Sequence, residues 1–310
     1  MARLDIGEAL GEGFRLVGRR PLDAMVWGVV YFVFAAIPAF ALFYWLAGDW
    51  ADLMRQATAS PDMANPAKMM AEQMRLQAVQ PLMFLGSLVG RSLVFAAVFR
   101  AVLTPRDRGF CYLRFGKTEL WLGLVLLVQW VCMFLLLIVL LIPLMIFWVP
   151  TFISGAQHSF AGWEVPVGLI GCVLAFAVYI WLFVRFSMAA PMTFAARQFR
   201  LFESWTMTRG HGLGLFGLYL VVAVVACVIG LIVEIVIFGI GFAVLASTGL
   251  DSTGIEAFFR HPPRELFVTV APYALGIGLV LSAFWGMYLT LFLAPWARAY
   301  AQLAGEPEAP

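Results

Sequence analysis

Six long apolar runs, separated by polar segments, dominate the hydrophobic pattern of this chain. A helix needs about 20 apolar residues to cross the hydrocarbon core of a bilayer, and each run is about that long or longer. The pattern predicts six transmembrane helices at residues 22–47, 81–99, 120–148, 165–184, 213–245 and 266–296. We therefore expect an all-α membrane protein whose helices form three hairpins in a single domain, residues 1–305, followed by a short polar tail at 306–310.

Residues 4–20 have a different pattern, with apolar and charged positions on opposite faces of a predicted helix. Ile6, Leu10 and Phe14 fall on one face, and Asp5 with Glu8 forms a capping box at the start. An amphipathic helix in front of a span is expected to lie in the interface plane of the membrane. The apolar run that follows is too long for the core of a cleaved signal peptide, so we predict an uncleaved first span.

The composition indicates that lipid is the solvent for most of the surface. Hydrophobic residues make up 63% of the chain and charged residues 12%, against about 45–50% and about 25% in soluble domains. The four cysteines lack CxxC spacing and the three histidines are scattered, so we expect no disulfide framework, metal site or cofactor. Motifs of phosphate-binding loops, zinc proteases and serine hydrolases are absent, and we predict that the protein is not an enzyme.

Two further patterns each allow two interpretations. Five methionines lie in and beside the first polar loop, and thioethers suit Cu(I), but we favour flexible packing on lipid or a neighbouring span. They are Met54, Met63, Met69, Met70 and Met74. Gly278, Ser282 and Gly286 form a small-residue stripe in the last span, which favours close helix packing, with an oligomer contact as the alternative.

The distribution of positive charge predicts the orientation. Fourteen of the 20 Lys and Arg residues fall in the two terminal segments and in the loops after the second and fourth spans, and five fall on the opposite side. Because positive charge is enriched in cytoplasmic segments, both termini are predicted to be cytoplasmic.

The order of parts suggests an internal repeat. Three segments, 4–20, 106–118 and 192–210, each precede a pair of spans, and three spans exit to the predicted cytoplasmic side through a proline, at 105, 191 and 295. The hairpins share one orientation, so the repeat would be parallel rather than inverted. The alternative is that any six-span protein with a cytoplasmic N-terminus gives this order by topology alone.

Three stretches also carry a resemblance to a known family. They are residues 185–191 (RFSMAAP), residues 202–210 (FESWTMTRG) and the segment 4–21 before the first span. The pattern resembles the membrane domain of bacterial glycerophosphodiester phosphodiesterases and the related YciC-type inner-membrane proteins of unknown function. The resemblance implies a similar fold and a place in the bacterial inner membrane. This chain lacks the soluble catalytic domain, so the resemblance implies no catalytic residue.

Two charged residues lie inside predicted spans and away from their ends, Arg91 and Glu234. An arginine at the centre of a membrane helix costs about 2.5–3.5 kcal/mol on insertion scales, so Arg91 is expected to face protein or water and to have a partner. Glu234 is the candidate partner, and Gly86 and Gly90 would let another helix approach beside Arg91. The pair would be either a structural ion pair that fixes helix register or part of a substrate, proton or anion site.

Six arginines of the predicted cytoplasmic loops are candidates for contacts with lipid headgroups. They are Arg106, Arg108, Arg114, Arg197, Arg200 and Arg209. They orient the protein, and neighbouring aromatic residues suit docking on anionic lipid. No basic soluble domain is present that would bind nucleic acid.

Two functions follow as hypotheses. The first is a non-enzymatic accessory or membrane-homeostasis protein that docks on the cytoplasmic leaflet, with membrane lipids as partners and a homo-oligomer or protein partner left open. The second is a transporter or lipid-translocating protein that uses an interior site near Arg91 and Glu234.

Overall fold

Nine α-helices account for most of the computed structural model, which describes residues 4–59, 66–107, 109–153, 164–247 and 263–305. The helices are α1 (Ile6–Arg19), α2 (Pro21–Ala59), α3 (Pro66–Leu103), α4 (Lys117–Ile153), α5 (Glu164–Phe186), α6 (Ala189–Ala196), α7 (Glu203–Met207), α8 (Gly212–Ser247) and α9 (Pro263–Ala304). No strand occurs in these ranges. The tail 306–310 lies outside the described residues.

Six of these helices, α2, α3, α4, α5, α8 and α9, contain stretches long and apolar enough to cross a membrane. The prediction of an all-α membrane protein with six spans is therefore confirmed. Several helices run past the predicted limits. For example, α3 begins at Pro66, where a proline suits the first helical position, and continues through Pro81 without a break.

The spans pack in chain order, from α2 to α3, α4, α5, α8 and α9, and α9 closes the ring by packing on α2. In addition α9 contacts α3, so α2, α3 and α9 form a compact group that we call the triad. The amphipathic helix α1 packs across α9 and α8. Its Gly13 lies directly against the backbone of Leu291, which brings the two helices close.

Most of the buried core lies at one end of the bundle, which we call the terminal end because Asp5 and Gln302 meet there in a 3.0 Å hydrogen bond. Large side chains such as Trp27 and Phe99 are fully buried near it. The short helix α6 fills the middle of this end, where its Ala190 and Phe194 pack with Phe99 and with residues of α4 and α9.

The triad is held together by small residues along its length. A methyl group on Gly28 of α2 would overlap the carbonyl oxygen of Ser282, and one on Gly286 would overlap the carbonyl oxygen of Ala24. Gly278 lies against the side-chain ring of Phe32, where a methyl group would also be too close. The stripe on the last span therefore serves close helix packing within the chain, as the favoured interpretation predicted.

The parts of α5 and α8 that lie away from the terminal end are packed quite differently, and we call them the far halves (residues 166–178 and 231–239). On α8, Leu218 and Val222 are buried, but all nine residues from 231 to 239 are exposed. On α5, Val184 is buried and Val173 is 61% exposed. The helix faces that are covered at the terminal end are thus uncovered in the far halves.

The three segments predicted to be copies of one leader have different local structures. The first is the amphipathic α1, whose apolar face covers α8 and α9. The second contains a turn, a short 3-10 helix at Phe110–Tyr112 and extended residues. The third comprises the buried α6 and the short α7. The hairpin order persists, but it is not accompanied by a repeated amphipathic helix.

Candidate functional site

An ion pair between Arg100 and Glu119 is buried at the terminal end, where α3 ends and α4 begins. Arg100 also donates to the backbone carbonyl of Tyr112, and its guanidinium lies 5.5 Å from the centroid of the Phe194 ring. Glu119 stands in the first turn of α4, where the helix dipole favours a negative charge. The pair therefore ties α3, α4, α6 and the intervening loop together.

The loop between α3 and α4 is clamped from both sides. Trp27 of α2 donates its indole N–H to the carbonyl oxygen of Cys111 at 2.7 Å. Arg20 donates to the hydroxyl of Tyr112 and lies over its ring, and that hydroxyl donates to the carbonyl oxygen of Pro105 at 3.2 Å. These contacts fix the loop in position beside the buried ion pair.

Between this loop and α6 lies a cavity of about 330 Å³, which we call the arginine cavity. Five charged side chains line it, Arg100, Asp107, Arg114, Glu119 and Arg197. Three positive and two negative charges leave it with an excess of one positive charge. This polar character and its position at the end of the spans make it a candidate binding site.

Arg114 and Arg197 are the accessible cations of the cavity. Arg114 pairs with Asp107 at 2.6 Å, and both side chains are substantially exposed, so the pair can rearrange around a ligand. Arg197 ends α6 in a left-handed conformation with φ of 53° and is exposed, with no ion pair in the described ranges. At the rim, the Phe115 side chain is 72% exposed. The cavity thus offers two guanidinium groups beside an exposed aromatic ring.

The other predicted headgroup contacts lie outside the cavity lining. Arg106, Arg200 and Arg209 are exposed at the terminal end. Arg200 is held through its backbone, whose N–H donates to the hydroxyl of Thr193 at 3.1 Å. Arg108 lies outside the described residues. Of the five predicted arginines that the structure describes, Arg114 and Arg197 alone line the cavity.

Another arginine at the terminal end, Arg185, sits between two indole rings. Its guanidinium carbon is 5.5 Å from the ring centroids of both Trp181 and Trp205. Ser204 donates to its backbone carbonyl oxygen at 2.7 Å. These contacts attach α7 to the end of α5, which is a structural role and fits the aromatic belt of a membrane interface.

Arg91 and Glu234 are not brought together. Both side chains are exposed, α3 and α8 do not form a packed pair, and no ion pair joins the two residues in the described ranges. Glu234 lies about 160° around the α8 axis from the buried Leu218, at about 100° per residue. The expectation that Arg91 has Glu234 as a buried partner therefore does not match this structure.

The remaining candidates carry little chemistry. In the ranges that the structure covers, no three His, Cys, Asp or Glu side chains are grouped as metal ligands would be. Met70 and Met74 are exposed on α3. The side chains of Met54, Met63 and Met69 lie outside the described set.

The pairing of Arg100 with Glu119 was missed at the level of sequence, where Arg100 was counted only as an orientation charge. One signal could have found it. Arg100 is the last charge before the end of one span, and Glu119 is the last before a charge-free run of 44 residues. Opposite charges at the adjoining ends of consecutive spans are brought close by a short connection.

No family model matches the chain, and no curated protein or solved structure is significantly similar to it. The resemblance to the phosphodiesterase membrane domain and the YciC-type proteins therefore stays a prediction.

Proposed function

We propose that this protein is a non-enzymatic component of a bacterial inner membrane whose terminal end faces the cytoplasm and binds the headgroup of an anionic phospholipid. The observation that carries the proposal is the arginine cavity, with the exposed Arg197 and Arg114 beside the exposed Phe115. Other exposed arginines at the same end, such as Arg200 and Arg209, would hold the surrounding anionic leaflet.

The chemistry of the cavity suits a phosphate. Guanidinium groups bind phosphate oxygens through paired hydrogen bonds, which are stronger than bonds between neutral groups. Arg100 is already engaged by Glu119, so Arg197 and Arg114 are the groups available to a ligand. A volume near 330 Å³ falls at the lower end of the range of about 300–1,000 Å³ for small-molecule sites and is sufficient for a headgroup.

The position of the cavity supports a lipid rather than a soluble anion. It lies where α3 ends and α4 begins, so its rim is at the membrane interface. Phe110 and Phe115 are both exposed there, and aromatic side chains at this level pack among lipid headgroups. The charge distribution along the chain supports a cytoplasmic position for this end.

Native mass spectrometry of the purified protein tests the proposal, with phosphatidylglycerol compared with phosphatidylcholine. Wild-type protein should retain phosphatidylglycerol preferentially, and Arg197→Gln should weaken that retention about tenfold, since bonds to a charged group contribute about 1.5–3 kcal/mol. Arg209→Gln removes the same charge from the same end but outside the cavity, so it is the matched control. Equal retention by wild type and Arg197→Gln would overturn the proposal.

The alternative is a transporter or lipid-translocating protein. Its predicted interior pair, Arg91 and Glu234, is not assembled. One observation still favours a ligand inside the bundle, namely the uncovered far halves of α5 and α8.

A further inference from the structure

We infer that a second lipid site lies at the far end of the bundle, in a cleft between α3, α4, α5, α8 and α9, where Arg91 binds the phosphate of an anionic phospholipid. This site is independent of the arginine cavity and of the function proposed for it.

The cleft follows from the change in burial along single helix faces. On α8, the face that carries the buried Leu218 and Val222 continues at Val233 and Val236, which are 39% and 51% exposed. On α5, the face of the buried Val184 continues at Val173, which is 61% exposed. At the terminal end these faces pack on α9, and the face of α8 also packs on Leu10 of α1. Further along the same faces are uncovered, so a space opens beside these helices.

The floor and one wall of this cleft are rigid. The floor is the buried core around α6, where Phe194 packs against Phe99 at 6.0 Å between ring centroids. The wall is the triad, whose close contacts extend to Gly86 of α3 and Gly278 of α9. The opening therefore comes from the far halves of α5 and α8 lying apart from the triad.

Arg91 lies on the face of α3 that points toward this space. Phe95, Val98 and Val102 follow it at positions i+4, i+7 and i+11, which share one side of a helix. All three pack in the clusters to which α9 contributes Leu293, Ala294 and Ala297. Phe84, at position i−7, packs on Trp130 of α4 with ring centroids 4.6 Å apart. Arg91 therefore lies between α9 and α4, at the level where the buried core ends and the cleft begins.

The depth of Arg91 suits a phosphate drawn in from the leaflet at the far end. Twelve residues separate it from Leu103 at the terminal end of the span, which is about 18 Å of helix, in a hydrocarbon core about 30 Å thick. Helical side chains tilt toward the helix N-terminus, and the N-terminal part of α3 lies at the far end. An extended arginine reaches further in that direction, which brings its guanidinium closer to the headgroup level.

The occupant is a lipid rather than a second copy of the chain. Another protein can cover the outer side of α8, but all nine residues from 231 to 239 are exposed, including those that face inward. Only a molecule that enters between the helices reaches that inner face. Apart from Glu234 and Gly239 these residues are all aliphatic or aromatic, which suits acyl chains. The charge of Arg91 selects an acidic headgroup.

Glu234 does not obstruct this site. It lies about 100–160° around the α8 axis from the buried Leu215, Leu218 and Val222, so it is off the face that continues into the cleft.

Native mass spectrometry of the full-length protein with phosphatidylglycerol tests the inference. Wild type should retain two lipids per chain. Arg91→Gln should bind one of the two about tenfold more weakly. Arg91→Lys should keep part of the binding because it keeps the charge. Arg91 is exposed, so Arg91→Gln should fold, and an unchanged elution volume in size exclusion verifies this.

The arginine cavity supplies the matched control. Arg197→Gln should remove the other lipid, and the double variant should remove both. Lipid binding at each site is therefore tested independently of the other site. Retention by Arg91→Gln equal to that of wild type would overturn the inference. So would efficient disulfide cross-linking between copies through Val236→Cys, in a background with the four native cysteines replaced by serine, because a second copy would then occupy the cleft.

Discussion

Helices α5 and α8 are more apolar than the triad helices α2, α3 and α9, yet the triad is tightly packed and the far halves of α5 and α8 are not. In the triad, Gly28 and Gly286 lie so close to the opposite backbones that neither tolerates a methyl group. On α8, Gly230 just before the far half and Gly239 within it have nothing within 4 Å of the position of a Cβ atom.

The difference shows which property of an apolar helix creates packing in a membrane. Lipid tails are as apolar as leucine, so hydrophobicity alone does not drive helices together, and close approach of backbones through small residues does. The stripe Gly278, Ser282 and Gly286 provides that approach on α9. The run 231–238 of α8 contains only large residues, and its side chains are exposed.

The largest effect is expected from paired glycine substitutions that test this comparison. Gly28→Ala should destabilise the protein by about 3 kcal/mol or more, because the new methyl group forces α2 away from α9. Gly230→Ala, the matched control in α8, should change stability by less than about 0.5 kcal/mol. Thermal unfolding in detergent measures both. Equal effects of the two substitutions would mean that the triad is not the more tightly packed region.

A second test concerns the buried charge at the terminal end. Arg100→Met should cost about 3–5 kcal/mol because it leaves Glu119 buried without a partner. The double variant Arg100→Met with Glu119→Leu should recover most of that loss. The same unfolding assay follows both variants. If the double variant is as unstable as the sum of the two single ones, the side chains do not act as a pair.

The contact between α1 and α9, which belongs to the packed terminal end, is expected to depend on pH. A hydrogen bond from Arg298, together with its positive charge, lowers the pKa of Glu8 below its ordinary value. A lowered carboxyl pKa contributes stability that is complete above the unfolded value and is lost as pH falls through the folded value. Attachment of α1 should therefore weaken in acid, below the ordinary carboxyl range.

Limited proteolysis of the N-terminal segment at a series of pH values measures this attachment. Glu8→Gln should make the segment sensitive at neutral pH and abolish the added sensitivity in acid. A pH profile identical to that of wild type would show that Glu8 does not control the contact.

The smallest effect is expected at the exposed pair of Arg114 and Asp107. Both side chains are substantially accessible, and exposed ion pairs contribute about 0–1 kcal/mol. Arg114→Gln should leave the midpoint of unfolding nearly unchanged while it weakens retention of phosphatidylglycerol. A loss of stability as large as that of Arg100→Met would show that the rim of the cavity is structural.

Much of the fold could be predicted from the sequence because a membrane span leaves a strong signal. The six spans follow from length and hydropathy, and the amphipathic α1 follows from its capping box and periodicity. The stripe on α9 was assigned to helix packing, but its partner helix could not be named. Periodicity shows which residues share a face and does not show which helix lies opposite.

The site was harder to predict for three physical reasons. Helix α6, with the sequence AAPMTFAA, is too short for its periodicity to distinguish a buried plug from the end of a span. Arg100 and Glu119 are 19 residues apart, so their meeting depends on the path of the loop. For Arg91, the cost of placing a charge inside a span predicts a partner but does not identify it. Glu234, the candidate partner, is exposed and forms no ion pair with Arg91 in the described ranges.

A nitroxide scan along α8 in lipid nanodiscs tests the contrast between the packed terminal end and the open far half most directly. Oxygen accessibility, which reports contact with lipid, would be measured at each position from 215 to 222 and from 231 to 239. In the first window it should vary with helical period and be lowest at Leu215, Leu218 and Val222, which are buried. In the second window it should be high at every position. A helical minimum at Val233 and Val236 would show instead that protein covers the inner face of α8 and that no cleft exists.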